Sequence, residues 1–176
     1  MKKQKGFSLI ELLIVVAIIL IIAAIAIPNL LRSKIAANES SAVGSVRTIG
    51  TAEVTYSSSW GSGYAPTIAE LGGAAPCTIA SAKTACLIDP LLSTGGNVKS
   101  GYQFSAAGVL PDVNGINNGF EVNAIPTNYQ TTGVRSFCDD QSGVVKFNVS
   151  GAAAGLGAGS CAAIATVAGT SGPVGN

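Results

Sequence analysis

The ionisable and nucleophilic side chains of this chain limit the chemistry that it can perform. Its 176 residues include four cysteines, nine acidic and ten basic side chains, and no histidine. Without histidine, neither a Ser-His-Asp nor a Cys-His arrangement can form, and the commonest metal ligand is missing. The chain also has no nucleophile motif of the GxSxG type. The composition therefore predicts a protein that is not an enzyme and holds no metal or cofactor.

Glu11 is the acidic residue of a long apolar run. Residues 7–27 are apolar apart from Ser8 and Glu11, and their number is close to the ~20 that a transmembrane helix needs. A carboxylate at membrane depth costs on the order of 3 kcal/mol, which the apolar neighbours outweigh several-fold. The run therefore inserts into a membrane despite Glu11. Because a simple anchor gains nothing from this carboxylate, we expect Glu11 to have a partner.

The residues around the run predict how the chain is oriented. Lys2, Lys3 and Lys5 form a basic leader that is shorter than that of a secretory signal, and no Ala-x-Ala-like cleavage site follows the run. Basic residues favour the cytoplasmic side of a membrane, so these lysines and Arg32 and Lys34 favour opposite orientations. We expect the lysines to keep the N-terminus in the cytoplasm. The remainder of the chain, the head, is then expected outside it.

The segment Lys-Gly-Phe-Ser-Leu-Ile-Glu-Leu-Leu-Ile-Val-Val-Ala-Ile-Ile, residues 5–19, resembles the class III signal of type IV pilins and pseudopilins. The resemblance implies that a prepilin peptidase cuts between Gly6 and Phe7 and methylates the new amine of Phe7. It also implies that Glu11 acts in assembly and that Pro28 is the family's helix-kinking proline. The implied partners are further copies in a helical filament, the peptidase, the pilus assembly machinery of the inner membrane, and membrane lipid before assembly.

Cleavage after Gly6 changes the charge of the chain. It leaves seven basic against nine acidic side chains, so the formal net charge falls from +1 to −2. In a bundle of offset helices, the amine of an incoming copy's Phe7 can meet Glu11 of a neighbour, and the two attract strongly at low dielectric. A wrong register leaves both charges unpaired. Glu11 is therefore predicted to set the register, the alternative being an anchor whose glutamate reaches the lipid headgroups.

The predicted fold class is α+β, a pilin fold. A long N-terminal helix, apolar in its first half and amphipathic in its second, packs on an antiparallel sheet of about four strands. The apolar positions of the second half recur at spacings of three, four and seven: Ile35, Ala42, Val46, Ile49 and Tyr56. Arg32, Lys34, Glu39, Arg47 and Glu53 fall mostly off this stripe. Alternation predicts strands at 101–105, 120–124, 134–138 and 144–149.

The predicted organisation has six segments. They are a cleaved leader (1–6), a membrane and filament-core helix (7–31), its amphipathic continuation (32–60), a stapled loop (61–100), the sheet (101–150) and a Gly/Ala-rich tail (151–176). Four cysteines in an exported head can form two disulfides in three different ways. We expect the combination of Cys77–Cys86 and Cys138–Cys161. For Asp139 and Asp140 a solvated turn is favoured over a calcium site, since few other carboxylates are near in sequence.

The predicted function is that of a structural subunit of a type IV pilus. The monomer is expected in the bacterial inner membrane as a single-pass protein, and the assembled pilus at the cell surface. One alternative is a pseudopilin of a type II secretion system. Another is a membrane-anchored periplasmic binding protein in which Trp60, Tyr64 and Tyr102 form a stacking platform, although aromatic residues at such positions are more often core. The near-neutral charge predicts no nucleic-acid site.

Overall fold

The computed structural model describes residues 7–175 of the chain. Three helices precede six strands, in the order α1 (Leu9–Trp60), α2 (Ile68–Leu71), α3 (Pro90–Ser93), β1 (Val98–Lys99), β2 (Tyr102–Pro111), β3 (Asn117–Pro126), β4 (Ser136–Asp140), β5 (Lys146–Asn148) and β6 (Ser171–Pro173). The chain divides into two compact units at Lys34 and Ile35, so α1 contributes to both.

Helix α1 continues through Pro28 and ends at Trp60. Gly61 takes a φ of +60°, and its N–H donates to the carbonyl of Ser57. A glycine in this left-handed conformation is a common way to end a helix, because it has no Cβ to clash.

Residues 35–60 of α1 form one wall of the core of the head. The predicted stripe is confirmed at Ala42, Val46, Ile49 and Tyr56, which are buried, while Ile35 is half-buried. They pack with aromatic side chains from the strands, including Phe104, Phe120 and Phe137. The helix thus covers the sheet with its apolar face, as the amphipathic pattern predicts.

Two charged residues of α1 are buried, contrary to the sequence pattern. Glu39 is 6% exposed and Glu53 is fully buried, although both were expected off the apolar stripe. Each accepts backbone hydrogen bonds from a segment that is distant in sequence. Such partners make the burial of a carboxylate tolerable, but a local pattern cannot reveal them.

The sheet has six antiparallel strands in sequential order, not about four. The four predicted strands correspond to β2, β3, β4 and β5. Strand β1 lies in the predicted loop 61–100, and β6 lies in the predicted tail 151–176. The prediction missed them because the two residues of β1 and the Ser-Gly-Pro of β6 show no apolar alternation, whereas the equally short β5 lies in an alternating stretch.

The Gly/Ala-rich tail is attached to the outer face of the sheet. Phe120, Val122 and Ala124 of β3 belong to the core, and the alternating residues Glu121 and Asn123 point the other way. The Asn123 side chain binds the backbone of Ala154 and Gly155, and the Cys161 N–H donates to Glu121 Oε2 at 3.0 Å. Side chains of the sheet therefore hold a segment that has few large apolar groups of its own.

Two disulfides join the pairs that the sequence analysis expected. Cys77–Cys86 closes part of the loop after α2, and Cys138–Cys161 links β4 to the tail. The Cα atoms are 5.7 Å apart in both, within the usual range for a disulfide.

The aromatic residues considered as a stacking platform are engaged elsewhere. Tyr102 is fully buried, and its hydroxyl donates to the carbonyl of Arg135 at 2.7 Å. Trp60 packs against Tyr56, with ring centroids 5.2 Å apart. Tyr64 packs against Phe120 at 5.0 Å. These contacts leave no shared aromatic face for a ligand.

Candidate assembly segment and acidic sites of the head

The apolar segment of residues 7–31 buries almost nothing within the chain. Its large apolar side chains are between 44% and 80% exposed, from Val16 to Phe7. In the described part of the chain, α1 is the helix that is long and apolar enough to cross a membrane. A soluble monomer rarely exposes so large an apolar surface. This segment therefore requires lipid or other protein as its surroundings.

Glu11 lies in the first turn of α1 and contacts the residue before the helix. The backbone N–H of Ser8 donates to Glu11 Oε2 at 2.9 Å. Ser8 is at the N-cap position and Glu11 is the third helical residue, so this bond is half of a capping box. A carboxylate at this end of a helix is also favoured by the helix dipole. The sequence analysis did not foresee this local role of Glu11.

The structure describes some, but not all, of the other predicted processing and assembly residues. Phe7 is 80% exposed and Pro28 lies within α1, while Gly6 lies outside the described residues. Cleavage between Gly6 and Phe7, methylation of Phe7 and the assembly roles of Glu11 and Pro28 stay predictions.

In the head, Glu39 joins α1 to the start of β4. Its Oε1 accepts hydrogen bonds from the N–H groups of Val134 and Arg135, both at 3.0 Å. Its Oε2 accepts from Nε and Nη2 of Arg135, both at 2.8 Å. The guanidinium also lies over the rings of Phe137 and Phe147, at 5.6 and 5.4 Å from their centroids. Glu39 thus holds α1 to the segment before β4 through two backbone hydrogen bonds and a two-point contact with the guanidinium of Arg135, an arrangement that we call the Glu39 clamp.

Glu53 makes a second link, from α1 to the loop that follows it. Its Oε2 accepts a hydrogen bond from the N–H of Ala65 at 2.9 Å, whereas Oε1 has no hydrogen-bond partner in the described part of the chain. Burial raises the pKa of Glu53 to about 8, the bond from Ala65 lowers it, and the nearby Glu70 raises it. Glu53 is therefore mostly protonated at neutral pH, which removes the cost of burying a charge.

The predicted solvated turn of Asp139 and Asp140 is wrong. Both residues end strand β4 and are 3% and 4% exposed. The turn comes after them, where the N–H of Gly143 donates to the carbonyl of Asp140. Sequence reasoning placed the turn one or two residues early because aspartates are typical of turns.

These carboxylates perturb one another. Asp140 lies directly opposite Glu121 in the β3–β4 pair, and burial, followed by repulsion from Asp140, raises the pKa of Glu121. Burial raises the pKa of Asp139, the hydrogen bond from the Asp140 N–H lowers it, the Asp140 charge raises it and Arg47 lowers it, which together give a pKa of about 6. Even so, Asp139 is mainly ionised at neutral pH. Within residues 7–175, no group of three or more carboxylates or cysteines is arranged to hold a metal ion.

The long N-terminal helix and the antiparallel sheet define a pilin-like α+β fold. A family model described as the prokaryotic N-terminal methylation motif matches residues 1–27. The type IV wide pilus major component PilA4 of Thermus thermophilus is 62% identical over 39 residues, which are 22% of this chain and 30% of that protein. The match thus spans less than a third of the relative's length. No solved structure is significantly similar to the chain. The chain thus carries the prokaryotic N-terminal methylation motif and is similar over 39 residues to a type IV pilus component.

Proposed function

We propose that this protein is a structural, non-enzymatic subunit of a type IV pilus, which polymerises through its N-terminal helix into a helical surface filament. The observation that carries the proposal is the exposed apolar segment of residues 7–31 behind a methylation motif. A segment that is apolar all round is suited first to lipid and then to a bundle of identical helices. Contacts between copies that do not close into a ring generate an open filament.

The proposed life of the subunit has two stages. The leader, residues 1–6, is removed by the prepilin peptidase, which also methylates the amine of Phe7. The mature monomer then stays in the inner membrane through residues 7–31, with its head outward, until the assembly machinery transfers it into the filament. The segments 32–60, 61–100, 101–150 and 151–176 form the head. Pro28 would adapt the helix to the bundle, because proline removes one backbone hydrogen bond.

Glu11 has the capacity for the proposed register role. Its Oε2 accepts from Ser8, and among residues 7–175 no donor contacts its Oε1. The free oxygen and the charge are available to the Phe7 amine of a neighbouring copy. In a bundle from which water is excluded, that pair discriminates strongly between correct and shifted registers.

The test is electron microscopy of filaments sheared from cells, with intact-mass measurement of their subunit. We expect thin surface filaments whose subunit starts at N-methylated Phe7. Deleting the gene should remove them, and restoring it should bring them back. If the chain occurs only in membranes and its deletion stops protein secretion while surface filaments persist, a pseudopilin role replaces the proposal. A subunit that retains residues 2–6 would contradict the proposed processing.

A further inference from the structure

A pocket with two buried carboxylates lies between α1 and the end of β4. Its volume is about 290 Å³, and Gly50, Val54, Phe120, Asp139, Asp140 and Gln141 contribute to its wall. Arg47, the basic residue of the wall, makes no ion pair with any residue of the described chain. The wall thus carries two acidic groups against one basic group. Phe120 and Val54 offer apolar surface for the methylene groups of a long side chain.

Asp139 is a buried carboxylate of this pocket, and one of its two oxygens lacks a hydrogen-bond partner. Its Oδ1 accepts a hydrogen bond from the N–H of Asp140 at 3.0 Å. Its Oδ2 lies over Gly50, so close that a Cβ there would meet it at 2.6 Å, and it accepts no hydrogen bond from the described residues. A carboxylate that is only 3% exposed and has one free oxygen facing a pocket is a site for a cationic donor.

A suitable cation is presented by another part of the head. Lys83 is exposed in the turn between Ser81 and Thr84, whose backbone groups bond to each other in both directions at 3.0 Å. The turn lies inside the loop that the Cys77–Cys86 disulfide closes. The hydroxyl of Tyr56 also donates to the carbonyl of Ala82 at 2.7 Å. The turn that carries Lys83 is therefore held in place by the disulfide and by the hydrogen bond from Tyr56.

Three other basic residues of the head are less available. Arg135 is paired with Glu39, Lys146 donates to the carbonyl of Ala162 at 2.8 Å, and Lys99 is half-buried in β1. Lys83 has no hydrogen-bond partner within residues 7–175. It is the exposed lysine of the second unit that a neighbouring molecule can reach most readily.

We propose that the pocket of Asp139 and Asp140 accepts the Lys83 ammonium of a second copy of this chain in the assembled filament. This inference rests on the proposed pilus function and specifies one contact between heads. The contact joins two different surfaces, so it repeats from copy to copy without closing. Paired charges that lose water at such an interface fix the orientation of neighbouring subunits.

The two test substitutions, of Lys83 and Gln141, are at exposed positions, so the folding of the head should stay intact. Lys83→Glu places a negative charge at the pocket, and Gln141→Lys at its rim repels Lys83. Each is expected to lower the ratio of sheared filaments to mature membrane subunit by about tenfold. In the double variant Lys83→Glu/Gln141→Lys, the new lysine at the rim offsets the repulsion of the new glutamate by Asp139 and Asp140, so the filament ratio should rise above that of Lys83→Glu alone. Lys99→Glu is the matched control, since it makes the same charge change elsewhere on the head.

A chemical measurement complements the variants. A carbodiimide joins contacting ammonium and carboxylate groups, so filaments should yield a dimer-sized product in which Lys83 is linked to Asp139 or Asp140. Detergent-dispersed monomers should not. Normal filament ratios for both single variants, or no recovery in the double variant together with no Lys83 cross-link, would overturn the contact. If wild type itself makes no filaments, the proposed function fails instead.

Discussion

Residues 7–31 expose their apolar side chains, whereas the head buries acidic ones. In the N-terminal segment, large apolar side chains are at least 44% exposed. In the head, by contrast, Glu39, Glu53, Glu121, Asp139 and Asp140 are each at most 6% exposed. The first arrangement is unfavourable for a chain alone in water, and the second is unfavourable unless every acid finds a partner.

The difference shows where each region obtains its stability. The N-terminal segment depends on surroundings outside its own chain. The head is stabilised internally by carboxylates that link distant segments through backbone N–H groups: Glu39 to residues 134 and 135, Glu53 to Ala65, and Glu121 to Cys161. A head that is rich in glycine and alanine has little apolar volume at these junctions. At these junctions, acidic side chains and disulfides join the segments instead.

The largest effect is expected when the Glu39 clamp is removed. Glu39→Ala leaves the N–H groups of Val134 and Arg135 and the guanidinium without their acceptor. Because the Arg135 side chain is 41% exposed, most of the cost comes from the two backbone N–H groups that lose a charged acceptor, about 3–5 kcal/mol in all. Unfolding of the mature chain by urea in detergent, followed by fluorescence of Trp60, measures the free energy of unfolding. Glu70→Ala is the control, because the Glu70 side chain accepts a hydrogen bond from Thr67 in its own turn, and a loss no larger than the control's would refute the clamp.

Removal of the disulfides should have the next largest effect. Cys138 and Cys161 are 23 residues apart and Cys77 and Cys86 are 9 apart. On the chain-entropy relation, replacing both cysteines of a pair by serine lowers the free energy of unfolding by about 3.5 kcal/mol for the first pair and 2.5 for the second. The same urea measurement compares them. Four free thiols in the head, or peptides joining Cys86 to Cys138, would contradict the pairing.

The smallest effect concerns the pH dependence that Glu53 imposes on the head. Its pKa rises from 4.5 to about 8 on folding, so the folded chain keeps a proton that the unfolded chain releases. Its stabilising contribution is complete below pH 4.5 and is lost as the pH rises through 8. The free energy of unfolding should therefore fall by up to about 1.4 kcal/mol per pH unit in this window.

Glu53→Gln isolates this contribution. The amide keeps an acceptor for the N–H of Ala65 but cannot ionise, so the fall should flatten. The comparison is sharpest between pH 6.5 and 8, above the pKa of about 6 that Asp139 has in the folded chain. Equal slopes for the variant and wild type would show that Glu53 is ionised throughout.

The sequence predicted the regions that local patterns control. The apolar run, the stripe of Ala42, Val46, Ile49 and Tyr56, and strands β2 to β5 follow from periodicity. It did not predict the burial of Glu39, because the partner lies 96 residues away along the chain. It misplaced Asp139 and Asp140, whose aspartate pair is typical of turns, and it missed β6, which pairs with β5 only because the tail is tied to the sheet.

If the exposed residues 7–31 find their partners in other copies, Glu11 is the residue to test. The decisive measurement is the filament yield of Glu11 variants at equal membrane pools of mature subunit. Glu11→Gln keeps an acceptor for the Ser8 N–H, as capping boxes allow, but removes the charge. Glu11→Leu removes both and should insert into lipid more favourably by a few kcal/mol. If Glu11 pairs with the Phe7 amine of a neighbour, both variants will be cleaved and inserted normally while filaments become scarce. Normal filament yield from Glu11→Gln and Glu11→Leu would contradict the assembly role.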